Sequence, residues 1–142
     1  MTLGKHRRSS REGIEYKASE VIQHESYDQY GLSNDIGLVR LDREAEEKFQ
    51  PICLGRPGSD PAPGERLLAT GWGYSSTSPT RFPGVLQAVW LPLISRRECR
   101  RRNAGYHNTF DKTLCTWTKG KDTCTGDSGG PLMRLVKEST LE

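Results

Sequence analysis

An alternating segment and several short apolar-rich runs along the chain predict short strands. Ile14, Tyr16 and Ala18 alternate with Glu15 and Lys17, and a period of two is typical of a half-buried strand. Other apolar-rich runs are too short for a globular helix, and clusters of Gly and Pro between several of them predict turns. The pattern therefore predicts an all-β domain, with a polar turn region between residues 18 and 36. Further strands are predicted over residues 36–41, 66–70, 85–91, 114–117 and 131–136.

One helix is predicted, from about Ser95 to Asn103. Ser95 and Glu98 fit a capping box, in which the Ser95 hydroxyl accepts the Glu98 N–H and the Glu98 carboxylate accepts the Ser95 N–H. The helix carries a basic run that is either a solvated face or a patch for nucleic acid or heparin. A solvated face is favoured, because Glu98 interrupts the run and no aromatic residue lies within it. The run consists of Arg96, Arg97, Arg100, Arg101 and Arg102.

Composition narrows the class of protein. The chain has 142 residues, 33% of them hydrophobic, with 15 Gly and 8 Pro, which predicts one small, turn-rich domain over residues 1–142. No run approaches the roughly 20 apolar residues of a membrane helix, so we expect no integral membrane protein. The balance of 21 basic and 18 acidic residues argues against a nucleic-acid binder. Residues 1–13 lack the apolar segment of a signal peptide, so either the chain is cytosolic or its true N-terminus is missing.

The four cysteines form no C-x-x-C pair. Zinc sites commonly use such pairs. We therefore expect no zinc site, and nothing else in the sequence predicts a metal or a cofactor.

The segment Gly126–Pro131, G-D-S-G-G-P, is the most informative part of the sequence. Glycines beside Ser128 remove side chains that would block a substrate, and they permit positive φ angles. Successive backbone N–H groups can then point at one spot and stabilise a developing oxyanion. A glycine-rich turn without function is the alternative, but six specified residues in a row favour a functional site.

Three segments carry a family resemblance, and they follow one another in the family's order. They are Asn34–Leu41 (N-D-I-G-L-V-R-L), Thr70–Gly73 (T-G-W-G) and Gly126–Pro131. On these segments the chain resembles the chymotrypsin-like serine proteases, the trypsin family. The resemblance implies an all-β fold of two six-stranded barrels, of which residues 1–142 hold an incomplete part, a partial trypsin-like serine protease domain.

The same resemblance implies two catalytic residues. Ser128 is the nucleophile, and the N–H groups of Gly126 and Ser128 form the oxyanion hole. Asp35 is the triad aspartate, and its position beside an apolar strand suits a buried carboxylate that orients an imidazole. The alternative for Asp35 is an ordinary aspartate at the start of a strand.

The resemblance also implies trypsin-like specificity. Asp122 matches the floor of the primary specificity pocket, where a carboxylate pairs with Arg or Lys of a protein substrate. Thr123 and Thr125 would line that pocket. Asp127 matches the residue that accepts the new N-terminal ammonium after activation cleavage. A solvated loop acid is the alternative for Asp122.

The catalytic histidine of the family has no visible counterpart. The family carries it in an A-A-H-C-like segment before the aspartate, and none of the three histidines lies in such a segment: His6 and His24 resemble non-catalytic family histidines, and His107 is predicted in a polar loop. The chain therefore resembles a domain truncated at both ends, and we expect it to be inactive alone. The alternative is a non-catalytic protease homologue that regulates a proteolytic cascade.

Cysteine positions add further expectations from the resemblance. Cys99 and Cys115 match a family disulfide, which implies an oxidising compartment and a secreted protein. Cys53 resembles the cysteine that ties the protease domain to an upstream regulatory module, and Cys124 resembles one whose partner lies beyond residue 142. Leu67 and Arg134 stand where vertebrate digestive relatives carry another bridge. That absence, with Cys53 retained, favours the arthropod clip-domain proteases.

Overall fold

Two groups of residues form the fold in the computed structural model, which describes residues 1–30, 33–75, 81–102 and 113–136. The first unit consists of the described residues of 1–4, 13–49 and 94–115. The second unit consists of the described residues of 5–12, 50–93 and 116–142. The described residues are mostly strands and loops with one short helix, which confirms the all-β prediction.

The first unit contains two small antiparallel sheets. One pairs Thr2 with Glu15 and Leu3 with Ile14, and the other carries a register shift between Ala18 and Glu20. Such a shift is typical of a β-bulge, which bends a strand locally. The strands are β1 (Thr2–Leu3) with β2 (Ile14–Glu15), and β3 (Ala18–Gln23) with β4 (Gly37–Leu41).

Two sequence predictions for this unit were wrong. The single strand predicted from Ile14 to Ala18 is interrupted at Tyr16, which is 2% exposed. The Arg43 guanidinium lies over the Tyr16 ring, 4.4 Å from the ring centroid. The Tyr16 hydroxyl also accepts the Glu46 N–H at 3.2 Å. The supposed turn region contains β3, whose six residues are all exposed. Without a buried face, β3 shows no alternation that a sequence pattern could reveal.

The strand predicted over residues 36–41 is confirmed as β4, one residue shorter. Its apolar side chains remain uncovered in the described chain, with Leu38 64% exposed and Ile36 63% exposed. On the paired strand, Val21 is 71% exposed. The β3–β4 pair thus supplies backbone hydrogen bonds but buries little apolar surface.

The predicted helix is confirmed as α1, Arg96–Arg102. The Ser95 Oγ accepts the Glu98 N–H at 3.2 Å, as a capping residue should. The reciprocal half of the capping box was wrong, because the Glu98 carboxylate accepts hydrogen bonds from Arg101 at 2.7 and 2.8 Å and from Arg102 at 2.6 Å. The Arg101 bond, followed by the Arg102 bond, lowers the pKa of Glu98 from 4.5 to about 2.

A disulfide joins the helix to the segment that follows it. Cys99, 1% exposed, is bonded to Cys115, and their Cα atoms lie 6.0 Å apart. The N–H of Ile94 donates to the Cys115 carbonyl at 2.8 Å. Cys53 and Cys124 carry free thiols, the first exposed and the second half-buried.

We expect peptide mapping of the oxidised protein, without reduction, to recover Cys99 and Cys115 in one linked peptide. Iodoacetamide should alkylate Cys53 first and Cys124 more slowly, because the exposed thiol is the more accessible. A dominant bridge between Cys53 and Cys124 would contradict this pairing. The fully reduced protein, in which all four thiols react, is the control.

The second unit is built on a three-stranded antiparallel sheet with β5 in the centre. Strand β5 buries Leu67 and Ala69 on one face, and Leu91 and Leu93 complete this core. Leu67 and Ala69 are buried and Leu68 between them is less so, as expected for a strand with one inward face. The strands are β5 (Arg66–Gly71), β6 (Gln87–Pro92) and β7 (Leu132–Arg134).

Strand β7 holds the last described segment against β5. Leu67 is paired with Arg134. The two residues that stand in place of a further disulfide therefore lie directly opposite each other. The Arg134 Nη1 donates to the Ser59 carbonyl at 2.7 Å. The predicted strand over 131–136 is thus confirmed in its central residues.

The ends of two predicted strands differ from expectation. Residues 114–117 form no strand, because Thr116 makes only an isolated bridge to Leu93. Strand β6 begins at Gln87, and Val85 instead forms an isolated bridge with Arg7. Within the described ranges, no helix is long and apolar enough to cross a membrane.

Candidate active site

Glycines shape the loop that carries Ser128. Gly126 has φ +100° and Gly129 has φ +79°, a region that side chains other than glycine seldom occupy. The N–H of Asp127 donates to the Cys124 carbonyl, and the N–H of Gly130 donates to the Asp127 carbonyl, both at 2.9 Å. Ser128 lies within the second of these turns and is exposed, so its hydroxyl is accessible.

Gly126 is also required by close packing. A Cβ atom at this position would lie 2.9 Å from Phe82 Cε1 and 3.1 Å from the Gly73 Cα. The Phe82 ring packs against Tyr74, with centroids 4.4 Å apart, and the Arg8 guanidinium lies 5.2 Å from the Phe82 centroid. Phe82 therefore supports the serine loop from one side, a role that its isolated position in the sequence did not reveal.

The Asp127 carboxylate fastens the serine loop to the T-G-W-G turn. Its Oδ1 accepts the Gly73 N–H at 2.7 Å, and its Oδ2 accepts the Cys124 N–H at 2.9 Å. The Tyr74 N–H donates to the Thr125 carbonyl at 3.0 Å. A Cβ atom at Gly71 or Gly73 would collide with the Asp127 carboxylate, so the two glycines leave the space that it fills.

An open cleft of about 820 Å³ lies beside this loop in the second unit. Asp122 is exposed on its wall, and its Oδ1 accepts the Thr123 N–H at 2.8 Å. Trp90 and Trp117 also line the cleft. Of the predicted site residues, Asp122, Thr123 and Asp127 line the cleft, whereas Thr125, Gly126 and Ser128 do not.

Asp35 belongs to the first unit and precedes β4. The expectation of a buried carboxylate was wrong for this chain, because Asp35 is exposed. The reason is that the neighbouring apolar residues of β4 are themselves uncovered. Asn34 before it has φ +54°, and its carbonyl accepts the Ile36 N–H at 2.8 Å.

His24 and His6 accept hydrogen bonds within the described residues, His24 through its ring and His6 through its backbone carbonyl. The His24 Nδ1 accepts the Ser26 N–H at 3.1 Å. The His6 carbonyl accepts hydrogen bonds from the Leu86 N–H at 2.9 Å and from the Trp72 Nε1 at 3.2 Å. His107 lies outside the described residues. In the described part of the chain, no group of three His, Cys, Asp or Glu side chains is arranged to hold a metal ion.

Comparison with known proteins decides the family. The family profile named Trypsin matches residues 1–140. The chain belongs to the trypsin family. Trypsin Blo t 3 of Blomia tropicalis is 37% identical over 130 residues, which are 84% of this chain and 48% of that protein. Serine protease 1 of Homo sapiens is 33% identical over 133 residues, covering 92% of this chain and 54% of that protein.

Solved structures agree with the trypsin-family assignment. Neuropsin, a serine protease expressed in the limbic system of mouse brain, matches with a TM-score of 0.81 and 31% identity over 92% of this chain and 60% of that chain. This likeness confirms the chymotrypsin-like fold expected from the three motifs. The chain spans about half the length of the curated relatives it matches.

Proposed function

We propose that this chain carries the nucleophile and the primary specificity residue of a trypsin-like serine endopeptidase that cleaves protein substrates after Arg or Lys. The observation that carries the proposal is the construction of the serine loop. Ser128 is exposed between two positive-φ glycines, while the carboxylate of the neighbouring Asp127 accepts hydrogen bonds from Gly73 and Cys124. A turn without function needs no such division between an accessible hydroxyl and an anchored carboxylate.

In the proposed reaction, the Ser128 Oγ attacks the carbonyl carbon of the scissile peptide bond. A serine is a weak nucleophile until a base accepts its proton, and a histidine from the family's A-A-H-C-like segment would serve as that base. The same proton then goes to the leaving amine as the C–N bond breaks, and an acyl-enzyme remains for water to hydrolyse. The N–H groups of Gly126 and Ser128 would stabilise the oxyanion. The loop hydrogen bonds described above use the N–H groups of Asp127 and Gly130 instead.

Three further roles belong to the same proposal. Asp35 orients the histidine, and Asp122 recognises the substrate's Arg or Lys, with Thr123 and Thr125 beside it. The position of Asp122 and Thr123 on the cleft wall supports this assignment. Asp127 accepts the new N-terminal ammonium after activation cleavage; in this structure the Met1 ammonium donates to the Tyr16 carbonyl at 2.7 Å.

We expect the purified 142-residue chain to show no turnover of arginyl esters or amides, because a triad without its base retains only a small part of the rate. A chimera that adds the histidine-bearing and C-terminal segments of a related protease should hydrolyse them. Ser128→Ala should abolish that activity, and the exposed Ser9→Ala should leave it unchanged. An active chimera that is insensitive to Ser128→Ala would refute the proposed nucleophile.

One observation favours a second function, that of a non-catalytic homologue regulating a cascade: Asp35 is exposed, whereas a triad aspartate orients its histidine from a buried position. A chimera that folds, binds an arginyl inhibitor and remains inactive would support this second function. Turnover in the chimera would instead support the endopeptidase.

Cys53 supports a proposal about the whole protein. Its exposed, free thiol is available to tie this domain to an upstream regulatory module, as in the arthropod clip-domain proteases. Such a bridge requires an oxidising compartment, so the protein would be secreted. Leu67 and Arg134, which are paired directly, stand where a vertebrate digestive protease would carry a disulfide. The lack of that disulfide agrees with the clip-domain subgroup.

A further inference from the structure

Helix α1 concentrates the positive charge of the chain. Its seven residues include five arginines and one glutamate, a formal charge of +4. The whole chain carries +3, so the residues outside the helix together carry −1. The basic excess of this protein is therefore confined to about two turns of helix.

Four of the arginines share the solvent side of α1. At 100° per residue, Arg96, Arg97, Arg100 and Arg101 fall within an arc of about 140°, and all four are exposed. We call them the arginine face. Cys99 lies outside this arc, is 1% exposed and is bonded to Cys115. The disulfide thus fixes which side of the helix is inward and keeps the arginine face outward.

Like charges are neighbours on this face. Arg96 with Arg100, and Arg97 with Arg101, are spaced four residues apart, and like-charge pairs at this spacing destabilise a helix. Glu98 is the single acid of the helix, and its carboxylate accepts hydrogen bonds from Arg101 and Arg102. A bound polyanion would place anionic groups beside several of these guanidinium groups at once.

We propose that the arginine face binds a sulfated polysaccharide chain. Guanidinium groups present planar forks of N–H donors, which suit tetrahedral oxyanions better than the point charge of lysine does. The helix carries a disulfide and therefore forms in an oxidising compartment, where sulfated polysaccharides are the abundant polyanions. Single-stranded nucleic acids also require aromatic side chains for base stacking, and residues 96–102 contain none. The inference does not depend on the proposed protease activity.

The test measures binding of the oxidised 142-residue chain to heparin over a series of salt concentrations. The variant Arg97→Gln with Arg100→Gln removes two charges from the arginine face, and glutamine preserves helix propensity. Its matched control, Arg11→Gln with Arg56→Gln, removes two exposed charges elsewhere. We expect roughly tenfold weaker binding for the face variant, with the slope of log K against log salt reduced by about 2, one per lost contact. The control should change affinity by less than about twofold.

Several outcomes would overturn the proposal. Equal losses in the face variant and the control would show that net charge alone drives binding. An oligodeoxythymidine of equal charge that binds as tightly as heparin would contradict the choice of partner, and so would undiminished binding of desulfated heparin. Circular dichroism and an intact Cys99–Cys115 bridge establish that the variants are folded. If the double variant misfolds, Arg97→Gln alone replaces it, and its binding should be about threefold weaker. Unchanged binding of this single variant would contradict the proposal.

Discussion

In the active chimera, Asp122→Ser is expected to lower kcat/KM for arginyl substrates by about 100-fold or more, equivalent to about 3 kcal/mol of transition-state stabilisation. In the proposed role, the Asp122 carboxylate would form a charge-assisted hydrogen bond with a guanidinium or ammonium group, and serine would not replace the charge. Hydrolysis after aromatic residues should change little or rise, because an apolar side chain leaves the carboxylate without a partner. The measurement is the ratio of kcat/KM values for matched Arg and Phe substrates.

The matched control for this experiment is Asp60→Ser. Asp60 is also an exposed loop aspartate of the second unit, but it does not line the cleft. The control variant should keep the wild-type ratio. If Asp122→Ser keeps the ratio too while the chimera remains active, Asp122 does not determine specificity.

Gly73→Ala is expected to destabilise the second unit by about 3 kcal/mol. The added methyl group would occupy the space of the Asp127 carboxylate, which would lose its hydrogen bond from the Gly73 N–H and be displaced from the Cys124 N–H. A partly buried carboxylate that loses its donors costs about this much free energy. Denaturant unfolding followed through tryptophan fluorescence should show an earlier midpoint, and amide exchange at Cys124 should accelerate.

Gly84→Ala provides the control for that substitution. Gly84 lies in the same unit, and a Cβ atom there meets nothing within 4 Å. Neither Gly73 nor Gly84 has a positive φ, so neither substitution forces a side chain into the left-handed region, and only the one at Gly73 meets the Asp127 carboxylate. Equal stability of the two variants would show that Asp127 does not hold the serine loop in place.

Secondary structure was predictable where a short apolar run, such as Leu67–Ala69, lies between Gly- and Pro-rich segments. Strand β5 alternates buried Leu67 and Ala69 with more exposed residues, and the prediction for it was correct apart from its last residue. Strand β3 was missed because all six of its residues are exposed. Half of the predicted capping box was correct. The Ser95 hydroxyl accepts the Glu98 N–H, which depends only on local geometry, whereas the Glu98 carboxylate accepts a hydrogen bond from Arg101 and not from the Ser95 N–H.

The candidate site was predictable where a motif is continuous and unpredictable where contacts are distant. The Gly126–Pro131 segment identified an exposed serine with glycine on both sides, and Ser128 is exposed in the structure. The bond between Asp127 and the Gly73 N–H spans 54 positions, so no local pattern indicates it. The exposure of Asp35 depended on whether β4 is covered, which its own residues do not reveal.

Each of the two units consists of segments that are far apart in the sequence, and this affects the order of folding during synthesis. Arg134 contacts Ser59 across 75 positions, and Trp72 contacts His6 across 66. Closing such long loops costs chain entropy before the contacts compensate for it, which slows folding. The sheet that contains β5 cannot be completed until residues 132–134 have left the ribosome. Until then, one edge of β5 remains unpaired, and a nascent chain at this stage can pair wrongly with another and aggregate.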